Sequence, residues 1–467
     1  MRNIILLLAF TFLCASCTKW LEVQPSSQIS EDRQFSTEDG FKDALIGVYQ
    51  KMSQPTLYGQ ELSFGFVDVL AQNYTNPASS TSHTYMYVAR YMYTDAGVQG
   101  TVGNIWGELY GSIAQVNYIL KHVDNQKGLF TGINYNVIKG EALALRAYLH
   151  FDLLRLFGNF NKPDALSIPY MKDFTVVPQA SISARQVMAE CLSDLKAAED
   201  LLIKDKDLIH QPASGDNFLA FRKNRLNYWA IRGLTSRISL YAGNKDGAFL
   251  AAKDIIDNGG FTFLKPSDIN GNTSEMDRTA SMEHVFAIYV SNLKLLTDAV
   301  FKTPTATGGA NTTLLVSDMR KRELFTATAD IRLNPAFWSD SRGIIYYSKL
   351  WQDDNSAENI RRRIPLIKLS ELYLIAAETA PSLAEKITYF NKLRDARIDV
   401  LLSSNTNEVA LKSAIDMEYR KDFICEGQLF YYYKRQNTAS ISGSVTGPMS
   451  DEKYVLPKPV QEIEFGK

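Results

Sequence analysis

The sequence has few residues of the kinds that build metal and redox sites. Its 467 residues include 4 cysteines and 5 histidines, and no two histidines stand at metal-ligand spacing. Cys14 and Cys17 lie in the amino-terminal leader, so only Cys191 and Cys425 remain for the folded chain, and we expect buried free thiols there. The chain also lacks a G-x-S-x-G motif, a phosphate loop and a dinucleotide fingerprint. We therefore expect no metal, no cofactor and no enzymatic activity.

An excess of charge of one sign is missing as well. The 50 basic side chains are balanced by 51 acidic ones. A protein that binds a phosphate backbone or an anionic membrane surface needs a positive excess. Nucleic acid is therefore not an expected partner. A membrane can be reached only through an anchor, because the run from Ile4 to Leu13 is too short to span a bilayer.

The amino terminus carries the pattern of a secretory signal. A basic residue precedes the apolar run, and small residues lead into Cys17. The stretch Leu13-Cys14-Ala15-Ser16-Cys17 resembles a bacterial lipobox, with Cys14 at the position that is usually aliphatic. We predict a signal peptide over 1–16, lipidation of Cys17 that keeps the protein on a membrane, and a polar tether over 17–36 that holds the folded body away from the bilayer.

Apolar residues recur at helical spacing through most of the remaining chain. The predicted helices are Thr37 to Met52, Asn104 to Asp124, Leu145 to Phe160, Ser183 to Ile203, Leu226 to Ala242 with a second helix after Gly243, a pair joined at Pro381, and Glu408 to Arg435. Short turns and small residues at the seams indicate antiparallel helical hairpins. Two irregular regions, about 54–102 and about 260–363, interrupt them and are predicted to be functional insertions.

The helix from Leu145 to Phe160 has no broad polar face. Arg146 and Arg155 fall on opposite sides of it, so they cannot share one solvated stripe. A helix inside a stack of hairpins has neighbours on both sides, and its arginines can pair with carboxylates at separate edges. The fold class that follows is mainly α: a tetratricopeptide-like scaffold of helical hairpins with long irregular loop insertions and short strands. A strict 34-residue repeat is not present.

Aromatic residues are plentiful, with 24 Tyr and 24 Phe. In the stretch TYMYVARYMY the tyrosines share one parity, which predicts a strand with a tyrosine face. Such rings stack on apolar sugar faces while their hydroxyls join hydrogen-bond networks. A second aromatic set, with Tyr346 and Tyr347 among its members, lies in the other insertion. The candidate ligand-binding residues are Asn73, Tyr74, Tyr85, Tyr87, Arg90, Tyr91, Trp338 and Trp351. The alternative is that these rings pack on the helices or on a partner.

Six stretches follow one another along the chain: CTKWLEVQPSSQIS, IWGELYGSIAQVNYIL, LRAYLHFDLLRLFGNF, IPLIKLSELYLIAAET, EYRKDFICEGQLFYYYKR and YVLPKPVQEIEFG. In this order they resemble the SusD/RagB family of nutrient-binding lipoproteins. The resemblance runs over nearly the whole chain. Gln428 stands where many members carry an arginine, and Tyr432 stands where an aspartate is common. These departures concern the substrate more than the fold.

The resemblance implies a single domain over 37–467 that acts as a lid on a SusC-like TonB-dependent transporter. Its place would be the extracellular face of a Gram-negative outer membrane, held there by the lipid anchor alone. Family members capture glycan oligomers and, in fewer cases, peptides, and the scaffold motifs do not decide between the two. A third hypothesis is a repeat-type scaffold for protein interaction that binds no small ligand.

Overall fold

The computed structural model describes residues 31–175, 177–211, 217–271, 275–302, 311–341, 344–347, 349–351, 353, 355–358 and 360–465. The predicted signal peptide, the lipidation site Cys17 and the tether up to residue 30 lie outside the described residues.

Ten helices form the scaffold of the described residues. They are α1 Glu38–Met52, α2 Ala96–Val123, α3 Asn134–Phe157, α4 Ala184–Leu201, α5 Tyr228–Tyr241, α6 Lys245–Asn258, α7 Leu369–Thr379, α8 Leu383–Ala396, α9 Glu408–Asp422 and α10 Leu429–Arg435. From α1 to α8, each helix packs on the next one in the chain. Stacked hairpins bury both sides of the inner helices, as in repeat proteins. The predicted helical scaffold is therefore confirmed.

Helix α3 is the innermost element of this stack. Every residue from Gly140 to Phe157 is buried, so the helix has no broad exposed face, as predicted. Arg146 pairs with Asp194 of α4, and Arg155 pairs with Asp152 within α3. The two arginines thus meet carboxylates at separate edges of the helix.

Some helix boundaries differ from the prediction. Helix α2 begins at Ala96 rather than Asn104, because the Asp95 side chain accepts hydrogen bonds from the first free backbone N–H groups. Helix α3 begins at Asn134 rather than Leu145, and it ends at Phe157 rather than Phe160, because Gly158 takes up an extended conformation. The prediction of continuous helix from Glu408 to Arg435 is wrong, because this segment forms the two helices α9 and α10. Gly427, at φ +67°, lies in the loop that separates α9 from α10.

The insertions contain short elements. The first holds the helices Phe66–Leu70 and Met86–Ala89, and the second holds the helices Leu293–Phe301 and Asp318–Leu324. The strands, all paired antiparallel, are β1 Leu166–Ile168 with β2 Ile182–Ser183, β3 His284–Tyr289 with β6 Arg363–Lys368, and β4 Trp338–Ser341 with β5 Ile344–Tyr347. Further short helices are Glu31–Gln34, Asp451–Tyr454 and Val460–Phe465. The predicted short strands are thereby confirmed.

One hydrophobic core joins the scaffold to the insertions. Phe64 of the first insertion packs on Phe301 of the second, with ring centroids 5.6 Å apart, and both belong to the cluster that contains α3. Cys191 and Cys425 are buried free thiols, as expected. The insertions are therefore held on the scaffold by the same core that holds the helices together.

Candidate functional site

The two insertions, far apart in sequence, are joined by hydrogen bonds. The Thr75 backbone N–H donates to the carbonyl of Leu315 at 2.8 Å, and the Thr84 N–H donates to the carbonyl of Asn311 at 2.8 Å. The Asn76 side chain completes the contact, since its amide donates to the carbonyl of Thr313 at 2.6 Å. The two predicted functional regions therefore form one substructure.

The stretch Thr84 to Tyr93 is not a strand. It contains the short helix Met86–Ala89 and a turn in which Tyr91 has φ +54°. Residues two apart share a face in a strand, but they point to different sides in a helix. Tyr85, Tyr91 and Tyr93 are consequently buried, whereas Tyr87 is 38% exposed. The predicted tyrosine face is wrong.

The hydroxyls of the buried tyrosines are bonded inside the protein. The Tyr85 hydroxyl donates to Glu61 at 3.0 Å and accepts from the amide of Gln60 at 2.9 Å. The Tyr91 hydroxyl donates to the carbonyl of Leu70 at 2.9 Å. These contacts give both tyrosines a packing role, with no ring face open to a ligand.

Asn73 and Tyr74 also lie in the core. The Asn73 amide donates to Asp68 at 2.9 Å, and the Tyr74 hydroxyl donates to the carbonyl of Phe64 at 3.1 Å. Asp68 accepts a further bond from the backbone N–H of Cys425 at 2.9 Å, and burial raises the pKa of Asp68 to about 7. This cluster fastens the first insertion to the loop that follows α9.

Arg90 is half-buried and holds a neighbouring loop. Its guanidinium donates to the carbonyls of Ala78 and Ser80 at distances from 2.9 to 3.1 Å. These bonds fix the turn that follows Tyr87. Arg90 thereby supports the exposed ring rather than standing beside it as a free donor.

The second aromatic set divides in the same way. Trp338 is buried, and its indole N–H donates to the carbonyl of Arg332 at 2.8 Å. Tyr346 and Tyr347 are buried as well. Trp351 is half-buried, and its indole N–H donates to Asp298 at 3.0 Å. Of this set, Trp351 is the ring that reaches the surface.

Trp351 is attached to the same substructure as Tyr87. Its partner Asp298 lies in the helix Leu293–Phe301, and the carbonyl of Val300 in that helix accepts from the Leu314 N–H at 2.8 Å. The amino group of Lys302 lies 4.5 Å from the centre of the indole. We call the surface of the joined insertions, which carries Thr84, Tyr87, Lys302, Asn311 and Trp351, the insertion surface.

A groove along α2 was not anticipated from the sequence. It has a volume of about 490 Å³ and is lined by Trp106, Tyr110 and Met171, with Gly103 and Gly107 on the same helix face. A Cβ at either glycine would meet no atom within 4 Å. In the sequence, the groove is indicated only by Gly103 and Gly107 on either side of Trp106. The apolar periodicity of α2 indicates the opposite property, namely which face of the helix packs in the core.

Within the described ranges, no three His, Cys, Asp or Glu side chains are grouped so that they could hold a metal ion. Among the helices of those ranges, none combines the length and the apolarity that a membrane crossing requires.

Comparisons with known proteins give consistent matches. Residues 19–215 match the SusD-like family described as starch-binding and associating with the outer membrane. SusD-like protein P38 of Formosa agariphila is 24% identical over 489 residues, which cover 95% of this chain and 92% of that protein. SusD-like protein P25 of the same organism is 24% identical over 208 residues, which cover 42% of this chain and only 37% of that relative.

Solved structures with the same fold include two from Bacteroides. A SusD superfamily protein from Bacteroides thetaiotaomicron aligns with a TM-score of 0.72 at 21% identity, over 92% of this chain and 98% of that one. A SusD-like carbohydrate-binding protein from Bacteroides vulgatus aligns with a TM-score of 0.71 at 19% identity, over 92% and 96% of the two chains.

Proposed function

Because the chain belongs to the SusD/RagB family in sequence and fold, we propose that it is a surface-exposed, lipid-anchored nutrient-binding protein. It captures oligosaccharide and passes it to a SusC-like TonB-dependent transporter. The anchor is Cys17, and the location is the extracellular face of a Gram-negative outer membrane. The protein acts by binding rather than by catalysis.

The observation that carries the proposal is the insertion surface. Tyr87 is exposed there, Trp351 is half-buried, and the exposed residues Thr84 and Asn311, joined by a backbone hydrogen bond, add polar groups to the same joined insertions. Aromatic rings stack on the apolar faces of sugars, and neighbouring hydroxyl and amide groups bond the sugar hydroxyls. The combination suits a neutral oligosaccharide better than a charged ligand.

The two rings are held in place before a ligand arrives. Asp298 fixes the indole of Trp351, and the bonds from Arg90 fix the turn that follows Tyr87. A preorganised ring loses little conformational entropy on binding. Asn73, Tyr74, Tyr85, Tyr91 and Trp338 serve as the buried support of this surface, and the ligand contacts are assigned to Tyr87 and Trp351.

The test is glycan binding by the mature chain from Thr18 onward. A panel of soluble polysaccharides is run in affinity gel electrophoresis, and the retained glycan is titrated by calorimetry. Tyr87→Ala and Trp351→Ala are each expected to weaken binding by about 2 kcal/mol, or roughly 30-fold. Tyr85→Phe serves as the buried control and keeps its affinity. Failure of the wild-type protein to bind any glycan would overturn the proposal.

The anchor and the partner are tested separately. Cys17→Ser is expected to move the protein from the outer-membrane fraction to the soluble fraction, because the acyl chains are its only membrane contact in the proposal. Copurification from native membranes is expected to recover a TonB-dependent transporter. Recovery of a different protein, with no glycan bound, would favour the interaction scaffold instead.

The groove along α2 favours a second candidate, which is capture of peptide. Its lining is mainly apolar around Trp106 and Tyr110, and it also includes the polar residues Asn117 and Glu462. An apolar groove with a few polar groups suits an extended peptide with apolar side chains. A peptide library that binds the wild-type chain but not Trp106→Ala, with no glycan binding, would replace oligosaccharide with peptide as the cargo.

A further inference from the structure

We propose that Phe221 and the two cavities that it lines form a second saccharide-binding site, which shares none of the residues named for the insertion surface. The proposal rests on the proposed function, because it assigns the same class of ligand. The site consists of residues from α1, from the segment 218–225, from the end of β3, and from the second insertion, Ser281 and Ile360 among them.

Phe221 is an exposed aromatic residue in a strained backbone conformation. Its side chain is 57% exposed, and its φ of +53° lies in the left-handed region that bulky residues rarely adopt. The short helix Arg222–Asn224 follows it directly. An exposed phenyl ring gives up hydrophobic burial, and this conformation adds a cost in strain. Because both the exposure of the ring and the strained backbone lower the stability of the fold, we infer that Phe221 is kept for a function.

The ring stands between two concave spaces. The first has a volume of about 560 Å³ and is walled by Ile46 and Gln50 of α1, with Tyr289 of β3 opposite. The second, of about 550 Å³, is walled by Ser281 and Ile360. Phe221 and Asn224 line both. Both volumes lie in the range of small-molecule sites. A chain of sugar units can thus lie across the ring with one end in each space.

The backbone segment that carries Phe221 is held rigidly by its neighbours. Arg222 is buried and donates to Asp205 at 2.6 and 2.9 Å, with a further ion pair to Glu141. The guanidinium of Arg225 lies 4.2 Å from the centre of the Phe218 ring. The segment therefore presents the Phe221 ring from a support that is already fixed.

One polar group in the segment that carries Phe221 has no hydrogen-bond partner among the described residues. Arg225 lines the first cavity and is 5% exposed, and its Nη1 finds no hydrogen-bond acceptor among the residues that the structure describes. A buried donor without an acceptor costs free energy, so this wall of the first cavity holds hydrogen-bonding capacity that the protein itself does not use. Asn224, which lines both cavities, is fixed because its amide oxygen accepts a hydrogen bond of 2.8 Å from Nε of Arg363.

The charges around the two cavities favour a neutral ligand. Both cavities have side chains of both signs in their walls: Asp39 and Asp43 with Lys42 and Arg225 in the first, and Asp268, Glu275 and Asp277 with Arg222, Lys223 and Arg363 in the second. An anion site would need a clear positive excess. Aromatic stacking together with scattered polar groups matches a neutral sugar.

The test replaces Phe221 by glycine in the mature chain. Glycine adopts a φ of +53° without strain, so Phe221→Gly is expected to keep the thermal stability of the wild type while it removes the ring. The affinity for the retained polysaccharide is expected to fall about tenfold. Phe221→Tyr keeps a ring and is expected to stay within about twofold of the wild type.

Phe174→Ala is the matched control, because Phe174 is also an exposed phenylalanine but lines neither cavity. Its affinity is expected to equal that of the wild type. Wild-type affinity in Phe221→Gly, together with loss of binding in Tyr87→Ala, would overturn the second site and leave the proposed function standing. Absence of glycan binding by the wild-type chain would overturn both.

Discussion

The side-chain oxygen of Gln428 accepts a hydrogen bond of 2.7 Å from Nη1 of Arg155. Arg155 is buried in α3, where its Nε donates to Asp152 at 3.0 Å and its guanidinium lies 3.8 Å from the centre of the Tyr431 ring. The resemblance to the SusD/RagB family leads us to expect an arginine at the position of Gln428. Here the neutral side chain of Gln428 accepts a hydrogen bond instead. It thereby completes the hydrogen bonding of Arg155, which solvent does not reach.

Removal of this acceptor should destabilise the fold. In Gln428→Leu, Nη1 of Arg155 is left buried without a partner, and we expect a loss of about 1–3 kcal/mol in the free energy of unfolding by urea. Gln428→Arg should lose more, because a second guanidinium would face the first one. Gln54→Leu, at an exposed position, serves as the control, and an equal loss in both leucine variants would contradict the assigned role.

The Arg146–Asp194 pair gives a second stability prediction. Both bonds measure 2.7 Å, and the pair joins α3 to α4 out of contact with most of the solvent. Asp194→Ala leaves Arg146 without its counter-charge and should cost about 3–5 kcal/mol in chemical denaturation. The exposed Arg185–Asp164 pair has similar geometry, and Asp164→Ala should leave the unfolding midpoint unchanged. Equal losses of stability in Asp194→Ala and Asp164→Ala would mean that burial does not determine how much an ion pair stabilises the fold.

The helical scaffold was predictable because its signal is local. Helix α3 needs neighbours on two sides, and this follows from its own residues, since Arg146 and Arg155 lie on opposite faces of an otherwise apolar helix. The break between α9 and α10 is less visible, because it depends on the left-handed conformation of Cys425 and Gly427 within an otherwise helical pattern.

The candidate site was harder to predict because its contacts are not local. Tyrosines at alternate positions fit a strand, but Glu61 and Gln60, which bind the Tyr85 hydroxyl, lie more than twenty residues earlier and carry no pattern that links them to it. Phe221 is a single aromatic residue in a loop. Its exposure depends on a backbone angle, and its cavities depend on α1 and β3, so periodicity does not reveal it.

Glu61 should make stability depend on pH. Burial raises its pKa from the ordinary 4.5 to about 7, so the folded state holds a proton there that the unfolded state has lost. The stabilisation is full below pH 4.5 and is lost as the pH rises through 7, by roughly 3 kcal/mol in total. Glu61→Gln mimics the protonated acid. Relative to the wild type, this variant should therefore gain stability between pH 5 and pH 8.

The measurement is the free energy of unfolding at both pH values for the wild type and the variant. The comparison isolates Glu61, because every other titrating group is common to both proteins. Glu452→Gln, at an exposed position, is the control and should follow the wild-type pH dependence. Parallel curves for the wild type and Glu61→Gln would show that the Glu61 carboxyl is ionised throughout this range.

Removal of a single hydroxyl should separate packing from ligand binding in the stretch Thr84 to Tyr93. Tyr91→Phe leaves the buried carbonyl of Leu70 without its donor at 2.9 Å, and we expect about 1–2 kcal/mol less stability with unchanged glycan affinity. Tyr87→Phe removes an exposed hydroxyl, so stability should stay within about 0.5 kcal/mol while glycan affinity falls. The two variants make the same chemical change four positions apart. Reduced glycan affinity in Tyr91→Phe at full stability would contradict the packing role of Tyr91, because only an accessible Tyr91 hydroxyl can bond a sugar.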